Sequence, residues 1–383
     1  MKSIIIAGGT GTIGDNALSL IRRYPEEYRL VGFSAHQNIE RAASIIAEFQ
    51  PEFVAISDEK QAASLANRLS GPCEILTGEA AIDEMVTRPC DLVVAAIVGM
   101  AGLSSTVAAV RAGQTIALAN KESLVAAGHI VMPLVAQYGA RIIPVDSEHN
   151  AIHQCLQGHD REEVTKITLT ASGGPFLRHT MAELANVTRQ DALAHPNWVM
   201  GAKISIDSAT MMNKGLELIE AAHLFSAAAD ELDAIIHPQS LVHGMVDFID
   251  GSVIAHMASA DMKLPLAYAF GDNKRLISGV SALDLVKQGQ LEFQAIDEEK
   301  FRSYQLAKQV IGADVSSGVI LNAANEVAVM AFLQDKIGFL DIADLVERAL
   351  NAHFEGEAAS LEDVFHLDQA VRNFTTKQIE LLR

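Results

Sequence analysis

The sequence predicts an α/β protein in three parts: a doubly wound parallel sheet, then a mixed α+β region, then a helical bundle. Three observations predict it. Short apolar runs alternate with stretches of helical spacing from Ser3 to His153, the pattern of βαβ units and a parallel sheet. Ile235 to His256 is rich in strand signals. From Asp297 onward the hydrophobic period is that of helices alone. These shifts divide the chain into 1–146, 147–272, a turn-rich linker at 273–296, and 297–383.

A chain of 383 residues holds two or three domains, each with a sizeable core. A formal net charge of −19 argues against nucleic acid or an anionic membrane as partner. It leaves room for a small anionic substrate, because a few local cations dominate a single cleft. The three cysteines, Cys73, Cys90 and Cys155, form no CxxC pair, so a reducing cytoplasm is expected rather than a disulfide framework. The apolar run at the N-terminus is too short for a signal peptide. No uninterrupted stretch approaches the ~18 apolar residues of a membrane span.

In chain order, Ser3–Ala7 reads as a strand and Asp15–Arg23 as a helix. Between them, Gly9, Gly11 and Gly14 fit the GxGxxG pattern in its strand–turn–helix context. Glycine there lets the backbone approach a pyrophosphate seated on the helix N-terminus. The second strand, Tyr28–Ser34, ends without the acidic residue that would hold an NAD ribose. Ala35-His36-Gln37-Asn38 follows, with Arg41 one turn on. That polar, potentially cationic end favours NADP, although His36 is also an ordinary loop residue. Strands are expected at Phe53–Ile56, Asp91–Ile97 and Thr115–Ala119, with helices at Glu59–Leu69, Leu103–Ala112 and Ser123–Val131. The last strand ends in Asn120-Lys121-Glu122-Ser123. A lysine suits the positive end of a helix poorly unless an anion is present.

Arg141–Val145 is a short buried strand that gives way to Asp146-Ser147-Glu148-His149-Asn150-Ala151-Ile152-His153. Two carboxylates at the carboxyl end of such a strand suggest a divalent cation on hard oxygen ligands. Helix capping by Asp146 or Ser147 is the commoner use of these residues. His149 and His153 stand at i, i+4 and could bind zinc. The oxygen donors around them favour magnesium or manganese, so both are read as helix-face residues.

In the middle part, the strand Lys166–Ala171 runs into Ser172-Gly173-Gly174-Pro175-Phe176, a nest for an oxyanion or simply a tight turn. His195-Pro196-Asn197-Trp198-Val199-Met200-Gly201 reads as a loop holding the only tryptophan, a peg or a ligand cover. Lys203–Asp207 is expected as a strand. Ser208, Asn213 and Lys214 are suitable phosphate donors, and Glu217 and Glu220 share a helix face. His237, His243 and His256 lack zinc spacing. The last part predicts helices at Tyr304–Ile311, Gly318–Leu333, Ile342–Ala352 and Ser360–Leu382, a small bundle. Asn322, Asn325 and Glu326 interrupt an apolar helix and are read as structural.

Taken together, Gly8–Gly14, Ala119–Ser123, Pro144–Ile152, Ser172–Phe176, His195–Trp198, Asp207–Glu217 and Asn322–Glu326 resemble the 1-deoxy-D-xylulose 5-phosphate reductoisomerase family over nearly the whole chain. The resemblance implies rearrangement of 1-deoxy-D-xylulose 5-phosphate to an aldehyde and its reduction by NADPH to 2-C-methyl-D-erythritol 4-phosphate, in non-mevalonate isoprenoid synthesis. It implies a Rossmann-like NADP-binding domain, a catalytic domain with a dimerisation sheet, a C-terminal helical domain and a homodimer. By matching motif, Asp146, Glu148 and Glu217 would bind magnesium or manganese. Ser172, Ser208, Asn213 and Lys214 would hold the substrate phosphate, and Lys121, Ser147 and Glu148 its backbone. His195 and Trp198 would belong to a lid near 193–203. Thr10, Gly11, Thr12, Ile13, Ala35, His36, Gln37, Asn38, Asn120, Glu122 and Gly201 would line the cofactor.

One departure matters. His36-Gln37-Asn38 stands where the family often carries a basic triplet such as Gly-Lys-Asn. Arg41 or protonated His36 would then have to compensate at the 2′-phosphate, with NADPH still preferred. Two other readings use only the nucleotide motif: a homoserine-type NAD(P) dehydrogenase needing no metal, and a non-enzymatic NADP-binding sensor.

Overall fold

A computed structural model describes every residue except Ser70, Val199, Asn273 and Arg383. One residue of the expected lid (Val199) and the first residue of the expected linker (Asn273) therefore lie outside the described residues. The chain forms two compact units. The first comprises Met1–Ser123, Val131–Asn150 and Asp261–Val280; the second comprises Leu124–Ile130, Ala151–Ala260 and Ser281–Arg383.

The first unit alternates strands and helices: β1 (Lys2–Ala7), α1 (Thr12–Arg23), β2 (Tyr28–Ala35), α2 (Ile39–Phe49), β3 (Phe53–Ile56), α3 (Glu59–Ala66), β4 (Glu74–Thr77), α4 (Ala81–Thr87), β5 (Leu92–Ala95), α5 (Leu103–Arg111), β6 (Thr115–Leu118), α6 (Glu122–Tyr138), β7 (Arg141–Pro144) and the start of α7 (Ser147–Cys155). The strands form one sheet in the order β4-β3-β2-β1-β5-β6-β7, every pair parallel. The order reverses between β1 and β5, where an open sheet of this kind offers its crevice. Ile4, Ile6, Phe33, Val54, Ile56 and Val94 are fully buried in its core. A sheet covered on both faces explains why its strands read as continuous apolar runs. The expected strands are present. β4 and α4 were not anticipated: β4 is a four-residue edge strand with Glu74 and Thr77 exposed, and it has no apolar run to show. The helix from Ser123 continues past Val131 and over Pro133, with non-helical backbone at Ala127.

Asp261–Val280, placed by sequence at the end of the middle part and in the linker, packs with the first unit. Here α12 (Lys263–Gly271) is buried from Pro265 to Gly271. Tyr28 Oη donates to the Phe270 carbonyl at 3.0 Å, and the two rings meet edge-on at 5.2 Å. Tyr24 and Arg141 add bonds to Ile277 and Asp272. These partners are distant in sequence, so no local pattern announces the return.

The second unit contains β8 (Val164–Ala171), two short helices α8 (Met181–Leu184) and α9 (Arg189–Leu193), then α10 (Ala202–Ala209) and α11 (Met212–Phe225). β9 (Leu232–Ile236), β10 (Val242–Phe248) and β11 (Val253–Met257) follow. After α13 (Leu285–Gln288) come α14 (Arg302–Val310), α15 (Ser316–Leu333), α16 (Asp341–Leu350) and α17 (Leu361–Leu381). The sheet runs β11-β10-β8-β9, with β8 parallel to β9 and antiparallel to β10. The last four helices agree with the expected ones to within a turn. Lys203–Asp207 is helix, not strand. Ile204 and Ile206 alternate with polar residues like a half-buried strand, but Lys203 and Asp207 pair at i, i+4, which only a helix allows. α15 has the length and apolarity of a membrane span, yet 61% of it is buried within the unit and it carries Asn322, Asn325 and Glu326.

Candidate active site

In the first unit, the glycine turn follows β1 directly. Gly8 has φ +94°, and its N–H donates to Ser34 Oγ at 2.8 Å. A Cβ on Gly14 would lie 2.6 Å from the carbonyl oxygens of Gly8 and Gly9, and one on Gly9 would meet the Phe33 ring at 2.8 Å. Gly11 is different: the nearest atom to a Cβ there is 3.5 Å away. Gly11 is the N-cap of α1 and no side chain caps the helix. Its first N–H groups are thus available to an anion. Gly11 and Thr12 are exposed, Thr10 and Ile13 half-buried. Ala35 ends β2; His36, Gln37 and Asn38 are exposed beyond it. Asn38 caps α2, its Oδ1 accepting from the Arg41 N–H at 3.1 Å. The Arg41 guanidinium is 2.5 Å from Asp15 on α1.

At the ends of β6 and β7 the first unit gathers its ionisable residues. Asn120 is buried and clasps the turn: Nδ2 donates to the Gly99 carbonyl at 3.0 Å and to Glu122 Oε2 at 3.1 Å, and Oδ1 accepts from the Ser123 N–H at 3.0 Å. Lys121, 8% exposed, sets its ammonium 2.5 Å from Asp146 Oδ2. Burial alone would raise the Asp146 carboxyl; Lys121, then His149, outweigh it and hold it well below the usual carboxylate range. Ser147 Oγ donates to Glu148 Oε2 at 2.5 Å. Asn150 Nδ2 donates back to the Pro144 carbonyl at 2.8 Å, pinning the strand-to-helix turn. Asp146 and Glu148 are hard oxygen donors at a strand's carboxyl end, the donor chemistry a magnesium or manganese ion requires.

The second unit has its own polar residues. β8 ends at Ala171, and Gly173 and Gly174 follow with φ +84° and +64°. A Cβ on Gly174 would lie 2.6 Å from the Ser208 carbonyl oxygen, so this turn rests on α10. Ser172 Oγ accepts the Gly174 N–H at 3.2 Å and lies 3.0 Å from His195 Nε2. His195 Nδ1 accepts the N–H groups of Asn197 at 3.2 Å and Trp198 at 2.9 Å. Nδ1 therefore carries no proton, and Nε2–H donates to Ser172. The His195 pKa is lowered by burial, which agrees with a neutral ring. With both acceptor positions of Ser172 engaged, its hydroxyl proton is left to donate.

α10 ends at Ala209 and α11 begins at Met212, joined through Met211 in the left-handed region at φ 60°. This two-residue corner puts Ser208 at one helix end and Asn213 and Lys214 in the first turn of the next, whose N-terminus favours anions. Lys214 and Glu217 form an ion pair, 3% and 1% exposed, and Asn213 Nδ2 donates to Glu217 as well. Glu220, on the same helix, is 1% exposed. Gly201, the last expected cofactor residue, is exposed and caps α10. Trp198 faces the His243 ring at 6.5 Å.

Asn197 has a role that its place in the sequence does not announce. Its amide donates to the Pro238 carbonyl at 2.7 Å and to Ser240 Oγ at 2.9 Å, tethering the His195–Trp198 loop to the turn after β9. The same is true of Ser34, which holds the glycine turn, and of Asp207. An Asn-Trp pair after His-Pro was the only local signal for the first; the other two had none.

A parallel sheet with an open glycine turn at its switch point is the architecture of a nucleotide-dependent oxidoreductase. The family profile described as 1-deoxy-D-xylulose 5-phosphate reductoisomerase matches residues 4–128. Two C-terminal domain profiles of that reductoisomerase match 142–225 and 257–374. The reductoisomerase of Thermoanaerobacter pseudethanolicus is 46% identical over 379 residues, 99% of each chain. That of Rhodospirillum centenum is 45% identical over 380 residues, 99% of this chain and 94% of the relative. A crystal structure of DOX-P reductoisomerase in complex with NADPH, fosmidomycin and magnesium superposes with a TM-score of 0.95 at 42% identity, covering 100% and 99% of the two chains. The Zymomonas mobilis enzyme in complex with NADPH gives 0.93 at 42%, covering 99% of each. The chain belongs to the 1-deoxy-D-xylulose 5-phosphate reductoisomerase family. The dehydrogenase and sensor readings fall with that assignment.

Proposed function

We propose that the residues described above divide the work of one reaction as the sequence motifs imply. The reaction is the NADPH- and divalent-cation-dependent isomerisation and reduction of 1-deoxy-D-xylulose 5-phosphate to 2-C-methyl-D-erythritol 4-phosphate, a step of non-mevalonate isoprenoid synthesis. When bound, the cation supplies Lewis acidity to substrate oxygens and NADPH supplies hydride.

The chain's own residues bind and orient. Asp146, Glu148 and Glu217 are the proposed ligands of magnesium or manganese. Ser172, Ser208, Asn213 and Lys214 hold the phosphate, with Ser172 donating the one proton that His195 and Gly174 leave it. Lys121, Ser147 and Glu148 contact the sugar backbone; Lys121 also keeps Asp146 ionised. His195 and Trp198 cover the substrate and exclude water. The nucleotide is assigned to Thr10–Ile13 on the open helix end, to Ala35–Asn38, and to Asn120, Glu122 and Gly201. Nucleotide binding is assigned to the N-terminal part, substrate binding to the middle and support to the C-terminal helices. We also assign a homodimer through the edge strand β11, whose Val253 and Ile254 are 54% and 37% exposed, and a cytoplasmic setting.

The observation that carries this reading is that one proposed ligand in each unit stands beside a lysine: Asp146 with Lys121, Glu217 with Lys214. Lone buried carboxylates would be unstable as anions. The test is Glu148→Gln, which removes a charge and keeps the shape. It is expected to cut magnesium-dependent NADPH oxidation by about a hundredfold or more, as losses of groups acting on developing charge do. Full activity in the variant would sink the metal assignment.

A further inference from the structure

Asp207 is an odd residue to find beside a phosphate site. It directly precedes Ser208, it is 1% exposed, and it sits in the last turn of α10, where the helix dipole disfavours a negative charge. It persists because it is matched on both oxygens. Lys203 Nζ lies 3.0 Å from Oδ2. Asn325 Nδ2, from the middle of α15, donates to Oδ1 at 2.8 Å. Asn325 is fully buried, and its own Oδ1 has no hydrogen-bond partner among the described residues. An amide retained at that cost is held for what its N–H does. The backbone of the same turn is locked as well: Thr210 Oγ1 donates to the Asp207 carbonyl at 3.2 Å and accepts the Met212 N–H at 3.3 Å. On the opposite side Gly174 rests against the Ser208 carbonyl.

We propose that Asn325 and Asp207 are positioning residues for the phosphate site. Their hydrogen bond fixes the rotation of α10 about its axis, and so the direction in which Ser208 presents its hydroxyl. Lys203 cancels the Asp207 charge, so that the carboxylate does not oppose the substrate dianion. This gives Asn325 of the Asn322–Glu326 motif a part in substrate binding although it touches no ligand itself. The inference rests on Ser208 being a phosphate donor.

The test uses the full-length enzyme with NADPH and magnesium, and reads KM for 1-deoxy-D-xylulose 5-phosphate apart from kcat. Ser208→Ala sets the reference. Asn325→Ala is expected to raise KM by about tenfold with kcat within about twofold, since small misplacements of a binding group are costly. Combined with Ser208→Ala it is expected to add little, because both remove the same contact. Asn325→Asp, which opposes two carboxylates, is expected to be worse, and the exchange Asp207→Asn with Asn325→Asp to recover much of the loss by restoring one N–H donor and one acceptor. A lowered melting temperature with unchanged KM in Asn325→Ala would overturn the proposal, as would full additivity with Ser208→Ala. Unchanged KM in Ser208→Ala alone would instead remove the phosphate reading of Ser208, and the proposal with it.

Discussion

At the scale of residues, the end of β2 lacks the basic triplet that the family resemblance leads one to expect there. His36, Gln37 and Asn38 are exposed and offer no fixed cation. Arg41 follows in the first turn of α2, and its guanidinium is already paired with Asp15 at 2.5 Å. That pair is one-third to one-half exposed, so it contributes little to stability, and on the proposed assignment Arg41 is the group that would turn to a 2′-phosphate. Arg41→Ala should weaken NADPH binding by about tenfold while leaving NADH nearly unchanged, the loss of one charge-assisted contact. Asp15→Asn should strengthen NADPH binding. Fluorescence titration with both nucleotides decides it; equal effects on NADPH and NADH would discard Arg41 as the discriminating residue. The absence of an acidic residue after β2 was legible in the sequence. The competition from Asp15 was not, because it joins two helices 26 residues apart. Residue pairs whose meaning depends on a fold partner, Lys121 with Asp146 above all, were legible only as residue types.

At the scale of elements, the strand–turn–helix of the first 23 residues was readable in full, because glycine spacing there is dictated by backbone contacts. The same contacts give a graded prediction. Gly14→Ala must push a methyl group into two carbonyl oxygens at 2.6 Å, and should destabilise the enzyme by about 1–3 kcal/mol, as overpacking does. Gly11→Ala meets no described atom closer than 3.5 Å and should fold normally, and on the proposed nucleotide assignment it should weaken NADPH binding. Urea unfolding separates the two; equal stability would contradict the packing described. Elements that failed to show themselves did so for identifiable reasons. β4 is short and half solvent-facing, so its period is invisible. α10 imitates a strand because its two isoleucines alternate, and only the Lys203–Asp207 pair declares the helix. The helices α14, α16 and α17 are legible because each buries one regular face, and α15 because it is a long apolar run buried on most sides.

At the scale of the whole molecule, acid should unfold the protein through its buried histidines. Burial, then the nearby His256, depresses His243 from 6.5 to about 4; His195 and His223 are lowered too, both chiefly by burial. The unfolded chain then takes up these protons before the folded one. Their stabilisation is complete above about pH 6.5 and is lost as pH falls toward 4. For His243 alone that amounts to about 3 kcal/mol, at ~1.36 kcal/mol for each pKa unit. Chemical denaturation at stepped pH measures it, and constant stability from pH 7 to 4 would contradict the burial described. The alternation of the first half, the strand cluster and the helical tail were all legible at this scale; the return of Asp261–Val280 to the first unit was not, since tertiary contacts alone make it. The proposed reaction consumes NADPH only when a divalent cation is present. The measurement that tests it follows NADPH absorbance as 1-deoxy-D-xylulose 5-phosphate is added to chelator-treated enzyme, then to the same enzyme with magnesium, and identifies the product. No oxidation before magnesium, and one NADPH consumed for each 2-C-methyl-D-erythritol 4-phosphate formed after it, is the predicted result; oxidation without metal, or a different product, would contradict it.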